Sequence, residues 1–447
     1  MKPNILFIVV DSLRADKIFG KGKKANTPNI DSLIKKGAYF SNAITTNQYT
    51  AQVMQSIFTA RFPVVNKTKD KIKGNLKINP LLLLKNVGYK TFTTIQKDVF
   101  IQGFEQKFDN KDIFNSEENI YNGLSERILK KIDSLTNPWL YYIHLEDLHL
   151  PCVVPEKLQH LKLPERYDQN LSEIDLLIGK ILKKINLDET IMIVTADHGE
   201  YISSADGARG EVVDTKVHIK NLIKKFIPKK TLAKIHLKKQ LLNQKNYASR
   251  TEIPHEKRNI ITNRMTLNNN LFDDIVHVPL IFAGSKINSI ETINQQICNI
   301  DIFPTILELL EIPTTKLNIH GRSLVPLLKG KEFNSIPIYL TSLAIIKKIF
   351  QTINIDNSLS PLIGIRTADF KYFRDHKDPK KNVHLYDLKN DPFEDNNIFK
   401  IKSNIIKKME LSIEEIQKNS LPLLNEEEIT EDEIKKAKES LKKMGYI

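Results

Sequence analysis

Cysteine is scarce. The 447 residues contain two, Cys152 and Cys298, far apart and outside any CxxC pair or Cys/His cluster with metal spacing. A disulfide framework is therefore excluded, and a reducing compartment fits. Long apolar runs are missing too. Ile5-Leu-Phe-Ile-Val-Val10 ends in Asp11 after about six residues, far short of the roughly 18 that argue for a membrane span, and no small-residue cleavage site follows it. A soluble, cytoplasmic protein is the resulting expectation. Internal repeats are absent as well. With 41% hydrophobic residues, a chain of this length can bury a large core in two or three domain-sized units.

Acidic residues fall short of basic ones, giving a net charge of +14, and the excess is local. Residues 216–258 hold thirteen Lys/Arg against Glu252 and Glu256, or +11 of the total. The basic character thus belongs to one segment and not to the fold.

Short apolar runs alternate with helical patterns. Strands are expected at Ile5–Val10, Thr91–Ile95, Trp139–His144, Ile191–Thr195 and Val278–Phe282, with helices around Thr27–Lys36 and Leu171–Lys184. Near-continuous apolar strands separated by helices imply an α/β fold with a mostly parallel central sheet covered on both faces. From about residue 335, shorter strand candidates (Ile336–Leu340, Gly364–Arg366, Lys371–Phe373, His384–Leu388) and a Lys/Glu-rich helical tail indicate a smaller C-terminal α+β subdomain. The expected division is 1–334, with a basic insertion at 207–265, and 335–447.

In open α/β sheets, ligands bind beyond the carboxyl ends of the strands. Asp11, the stretch His144–His149 and Asp197-His198 each follow a strand. One Asp at a strand end is ordinarily a turn residue. Two such ends, the second with an adjacent Asp and His before Gly199, can face one ion. Thr50 precedes a helix starting near Ala51. It is either an ordinary N-cap or a hydroxyl at an anion-binding helix terminus.

NILFIVVDSLRAD, NTPNIDSLIKKGAYFSNAITT, SIFTARFP, PWLYYIHLEDLHLP, IMIVTADHGE, LFDDIVHVPLIFAG, NIDIFPTILELLEIP, GRSLVPLLKG, LYDLKNDPFEDNNI and LKKMGYI follow one another along almost the whole chain. In that order they resemble the sulfatase family of the alkaline phosphatase superfamily. The resemblance puts the nucleophile position on Thr50. Sulfatases proper carry there a Cys that becomes formylglycine, within Cys-x-Pro-x-Arg; here Thr50, Gln52 and Met54 hold those places. Thr cannot undergo that conversion, so the chain resembles the Thr-nucleophile phosphotransferase and phosphodiesterase branches. The resemblance then implies one divalent metal on Asp11, Thr50, Asp197 and His198, with Mn²⁺ or Mg²⁺ favoured and Ca²⁺ or Zn²⁺ as alternatives. It implies a hydrolase acting on sulfate or, more readily, phosphate esters and diesters through a Thr50 nucleophile.

The resemblance also makes His149 a ligand of the substrate anion or leaving group, with His144 and Asp147 either structural or supporting the site from behind its ligands. Lys97 stands near the family's active-site Lys, one position out of register. Ser12 and Thr266–Asn270 replace a second Asp and a His, which argues against a two-metal site. Arg14 could brace the first loop by pairing with Asp16 or Asp31.

The insertion carries Ile219, Leu222, Ile223 and Phe226 at helical spacing before Pro228. It is expected to act as a mobile basic lid over an anionic ester substrate, or to contact an acidic polymer or a membrane surface; with few aromatics it is not expected to bind nucleic acid specifically. A weakly catalytic or non-catalytic binding protein using this insertion is the alternative reading.

Overall fold

The computed structural model describes residues 2–64, 80–97, 108–202, 271–342 and 361–419, apart from 116, 316, 332 and 333. The insertion 207–265 and the tail 421–447 lie outside the described residues.

Strand β1 (Asn4–Val10) is buried at all seven positions. It lies at the centre of a nine-stranded sheet with β2 (Ala38–Ile44), β3 (Lys90–Gln96), β4 (Asn110–Phe114), β5 (Trp139–Leu145), β6 (Thr190–Thr195), β7 (His277–Gly284), β8 (Glu291–Ile293) and β9 (Ile297–Cys298). The order is β4-β3-β5-β1-β6-β7-β2-β8, with β9 also on β2. Strands β4, β3, β5, β1 and β6 run parallel, whereas β7 is antiparallel to both β6 and β2. The sheet is mixed but mostly parallel, as expected.

The alternation along β1 divides the core. Ile5, Phe7 and Val9 pack towards one face with Phe58, Tyr142 and Phe303. Leu6, Ile8 and Val10 pack towards the other with Tyr167, Leu171 and Ile174. The latter three belong to the helix Leu163–Leu182. Burial on both faces explains why β1 reads as an unbroken apolar run and not as an alternating one.

A second, four-stranded antiparallel sheet is built from β10 (Ile338–Thr341), β11 (Leu362–Arg366), β12 (Phe370–Asp375) and β13 (His384–Asp387). The helix Ser403–Asn419 covers it, burying Met409 and Ile413 in the same apolar cluster. This is the expected smaller C-terminal subdomain. Among the described residues no helix is long and apolar enough to cross a membrane.

Candidate metal centre

Asp11 continues directly from β1, its backbone N–H donating to the Leu145 carbonyl of neighbouring β5 at 2.8 Å. Asp197 and His198 follow β6, which pairs with the other edge of β1. The parallel register brings the two strand ends side by side, so residues 186 positions apart become neighbours. Asp11, Asp197 and His198 are all buried, and each offers a ligand atom within 4.8 Å of the other two.

Hydrogen bonds fix these groups. The Asp197 Oδ1 accepts from the backbone N–H groups of His198 at 2.8 Å and Ser12 at 3.2 Å. The Ser12 hydroxyl donates to Asp11 Oδ1 at 2.7 Å. His198 donates from Nδ1 to the Gly199 carbonyl at 2.9 Å, which turns Nε2 towards the carboxylates, 3.3 Å from Asp197 Oδ2 and 3.8 Å from Asp11 Oδ1. A backbone partner that fixes the tautomer in this way is usual for a metal-ligating histidine.

Thr50 opens the helix Thr50–Thr59, whose apolar positions Val53, Met54, Ile57 and Phe58 anchor it and which ends on left-handed Ala60, φ +53°. The Thr50 hydroxyl lies 3.2 Å from His198 Nε2 and 3.5 Å from Asp11 Oδ2. It faces the cluster and does not cap its helix.

The electrostatics ask for a cation. Burial and the nearby Asp11 push the Asp197 carboxyl up to about 7. Burial also acts to raise Asp11, but His144, His198 and His149 more than offset it and hold that carboxyl below the ordinary range. The buried Asp197 Oδ2 has no hydrogen-bond partner among the described residues. Two facing buried carboxylates, one oxygen of which is unsatisfied, are costly without a counter-charge. The donor set therefore fits a divalent cation.

Other expected site residues divide. His149 is half-buried after β5, donates from Nδ1 to the Leu150 carbonyl at 2.9 Å, and is near enough for its charge to act on Asp11. Lys97 is exposed just past β3, and among the described residues no hydrogen bond or ion pair joins it to the cluster. Asp147 is structural: its Oδ1 accepts the Ile120 N–H at 2.9 Å. His144 lies behind the cluster, the second of the two places its sequence reading allowed. It is fully buried, takes a 2.6 Å hydrogen bond between Nδ1 and the Tyr142 hydroxyl, and places Nε2 3.8 Å from Asp11 Oδ2. Arg14 does pair with Asp16, at 2.8 Å, but its second carboxylate is Asp274, whereas Asp31 pairs with Lys23.

Comparison with known proteins places this geometry. The family model "Sulfatase" matches residues 3–312, and "N-sulphoglucosamine sulphohydrolase, C-terminal" matches 268–419. Among curated proteins, arylsulfatase K of Gallus gallus is 30% identical over 128 residues, which cover 29% of this chain and 23% of that one. An uncharacterised protein of Haemophilus influenzae is 25% identical over 207 residues, covering 44% and 32% respectively. The chain thus spans a third or less of the length of these curated relatives. Among solved structures, BT4656 in complex with its substrate D-glucosamine-2-N,6-O-disulfate aligns with a TM-score of 0.65 at 16% identity, over 94% of this chain and 98% of that one. The phosphonate monoester hydrolase of Agrobacterium radiobacter aligns at 0.63 and 17%, over 96% and 99%. At such identities the structural likeness shows the fold alone.

These matches correct two expectations. The placement in a Thr-nucleophile branch, and the phosphate-ester reaction at a Thr50 nucleophile drawn from it, rested on the residue type at one position and its motif neighbours. The family models match both parts of the chain, and both are models of sulfatases, the class defined by formylglycine chemistry. The phosphotransferase and phosphodiesterase assignments are withdrawn with that branch. The binding-protein alternative is withdrawn too, because the match to the hydrolase family covers residues 3–312 and Asp11, Asp197 and His198 stand together where they could hold a metal.

Proposed function

The chain belongs to the sulfatase family, and from that premise we propose that it is a metal-dependent hydrolase of sulfate esters carried by sugars. The observation that carries the reading is the buried Asp11–Asp197–His198 cluster at the carboxyl edge of the sheet. The sugar substrate is supported by the sulfated glucosamine bound by BT4656 and by the C-terminal match to a sulphoglucosamine sulphohydrolase. The oxygen-rich donor set favours Mg²⁺, Mn²⁺ or Ca²⁺ over softer metals. A cation held there would act as a Lewis acid on the charge that develops on the ester oxygens.

The chain's own residues do the rest. His198 keeps Nε2 turned to the site through its Nδ1–H bond to Gly199. Ser12 and the backbone of residues 12 and 198 fix the carboxylates. The Thr50 hydroxyl, at the start of its helix and 3.2 Å from His198 Nε2, would offer a bound cation a fourth, neutral oxygen. His149, half-buried and near enough for its charge to act on Asp11, is our candidate ligand for a sulfuryl or leaving-group oxygen, and Lys97 is a substrate-binding candidate only from outside the cluster. In the division we propose, residues 1–334 carry this site and 335–447 form the C-terminal subdomain.

Purified protein should release inorganic sulfate from sulfated glucosamines or 4-nitrophenyl sulfate. The activity should vanish on chelation and return with divalent cation. Turnover of 4-nitrophenyl phosphate or a phosphonate monoester with no sulfate release would overturn the sulfate-ester reading. Thr50→Val keeps the shape and removes the hydroxyl; weaker Mn²⁺ binding by about tenfold is expected by titration, and unchanged affinity would remove Thr50 from the ligand set.

A further inference from the structure

Arg14 is buried, 7% exposed, and touches three separate stretches of chain. Its own backbone lies in the turn that carries Asp11 and Ser12, where Tyr167 clamps it: the Tyr167 hydroxyl donates to the Ser12 carbonyl at 2.8 Å and accepts the Arg14 N–H at 3.1 Å. The guanidinium Nη1 donates to the Glu200 carbonyl at 3.2 Å, on the turn that carries Asp197 and His198. The same nitrogen lies 2.9 Å from Asp274 Oδ1, a carboxylate whose side chain is 2% exposed. Nε and Nη2 are occupied by Asp16 at 2.8 and 3.2 Å.

Asp274 sits on the short helix Asp273–Val276, and that helix is pressed against the second turn. The Gly199 N–H donates to the Ile275 carbonyl at 2.7 Å, and a Cβ at position 199 would stand 2.1 Å from the Asp274 carbonyl oxygen. Asp11 and Asp197 would repel one another without a cation, so something must keep their turns together. The Arg14–Asp274 pair is a buried, charged tie across both.

We propose that Arg14 and Asp274 are positioning residues that hold the Asp11 turn and the Asp197–His198 turn at cation-binding separation. The inference rests on the metal-centre reading above and assigns the pair no contact with substrate. Its consequence is that cation affinity depends on a residue pair that does not ligate.

The test is Mn²⁺ titration, followed by the loss of the free-ion electron paramagnetic resonance signal, on full-length wild type, Arg14→Lys, Asp274→Asn and the double variant Arg14→Met/Asp274→Asn. Thermal unfolding of the metal-free proteins is measured alongside. The double variant leaves neither buried charge alone, so it remains foldable if a single one is not. Each folded variant should bind Mn²⁺ about 10–100-fold more weakly than wild type, the usual cost of removing a group that orients a ligand. Arg14→Lys, which keeps the charge, should lose least, and the double variant, which also gives up the contact to the Glu200 carbonyl, should lose most. Variants that melt earlier yet bind Mn²⁺ as wild type does would show a merely structural pair and overturn the inference. Wild type that binds no divalent cation would overturn the metal-centre reading and this inference with it.

Discussion

Asp197→Asn should abolish cation binding and lower sulfate-ester turnover by at least about 1,000-fold while leaving the fold intact. The substitution is isosteric, and Asn keeps an oxygen to accept the His198 and Ser12 N–H groups that Asp197 Oδ1 now accepts. What it removes is the charge on Oδ2, the oxygen left without a hydrogen-bond partner among the described residues. Removing a ligand charge from an Asp-Asp-His site costs far more than perturbing an outer partner, which is typically 10–100-fold. Metal-free Asp197→Asn should be as stable as wild type near neutral pH or more so, since the repulsion with Asp11 is gone. Residual tight binding in this variant would show that Asp197 is not a ligand.

The same carboxyl gives the site a pH dependence of defined sign. Asp197 titrates at about 7 in the folded, metal-free protein because of burial and Asp11, well above its ordinary 3.8. A cation must displace that proton. Apparent affinity should therefore rise about tenfold per pH unit up to about 7 and level off above it. For metal-free stability the sign is opposite: the folded state holds an extra proton between 3.8 and about 7, so this group's contribution is greatest below 3.8 and is lost as pH rises through about 7. Calorimetric titrations across pH 5–8 check the first statement; affinity that is flat there would contradict it.

How much of this was legible in the sequence depends on where the determining contacts lie. Strand β1 and its neighbours β5 and β6 were readable because burial on both faces leaves continuous apolar runs. β4, Asn110–Phe114, is a polar edge strand with one buried residue, and nothing in NKDIF marks it. β2 was hidden by the polar pair Ser41-Asn42 inside it, where its register to β7 shifts between Phe40 and Ala43. Asp11, Asp197 and His198 were readable because each terminates a recognisable strand, whereas Thr50 could be placed only by counting along a family pattern. The choice between the two places open to His144 needed the structure, because it lies inside β5, where alternation cannot distinguish a packed histidine from one facing a carboxylate. The Arg14–Asp274 pair had no local signal at all: its members are 260 residues apart, on either side of the basic insertion, and only the assembled sheet brings them together.

The adjacent residue, Asp273, ties the same short helix to the C-terminal sheet, and breaking that tie should carry a large stability cost. Asp273 accepts from Arg366 at 3.1 and 2.8 Å and pairs with Lys371, whose side chain is fully buried. Lys371 also meets Glu394 at 2.7 Å, and the Glu394 Oε2 accepts the Asp273 N–H at 2.7 Å. Lys371→Met leaves Glu394 buried without its cation, and removing one partner of a buried pair costs about 3–5 kcal/mol. Adding Glu394→Gln should recover much of that loss, because the uncompensated charge disappears while an acceptor for the Asp273 N–H remains. Urea unfolding of the two variants and wild type measures both steps. Burial opposes ionisation of Asp273, but Arg366 and Lys371 outweigh it and hold the carboxyl below its ordinary 3.8. Its stabilisation is therefore complete above that value and fades as pH falls below it, so the gap between wild type and Lys371→Met should persist at neutral pH and narrow in acid. A double variant no more stable than Lys371→Met alone would mean that the cost comes from lost packing of the lysine stem against the sheet and not from the stranded charge.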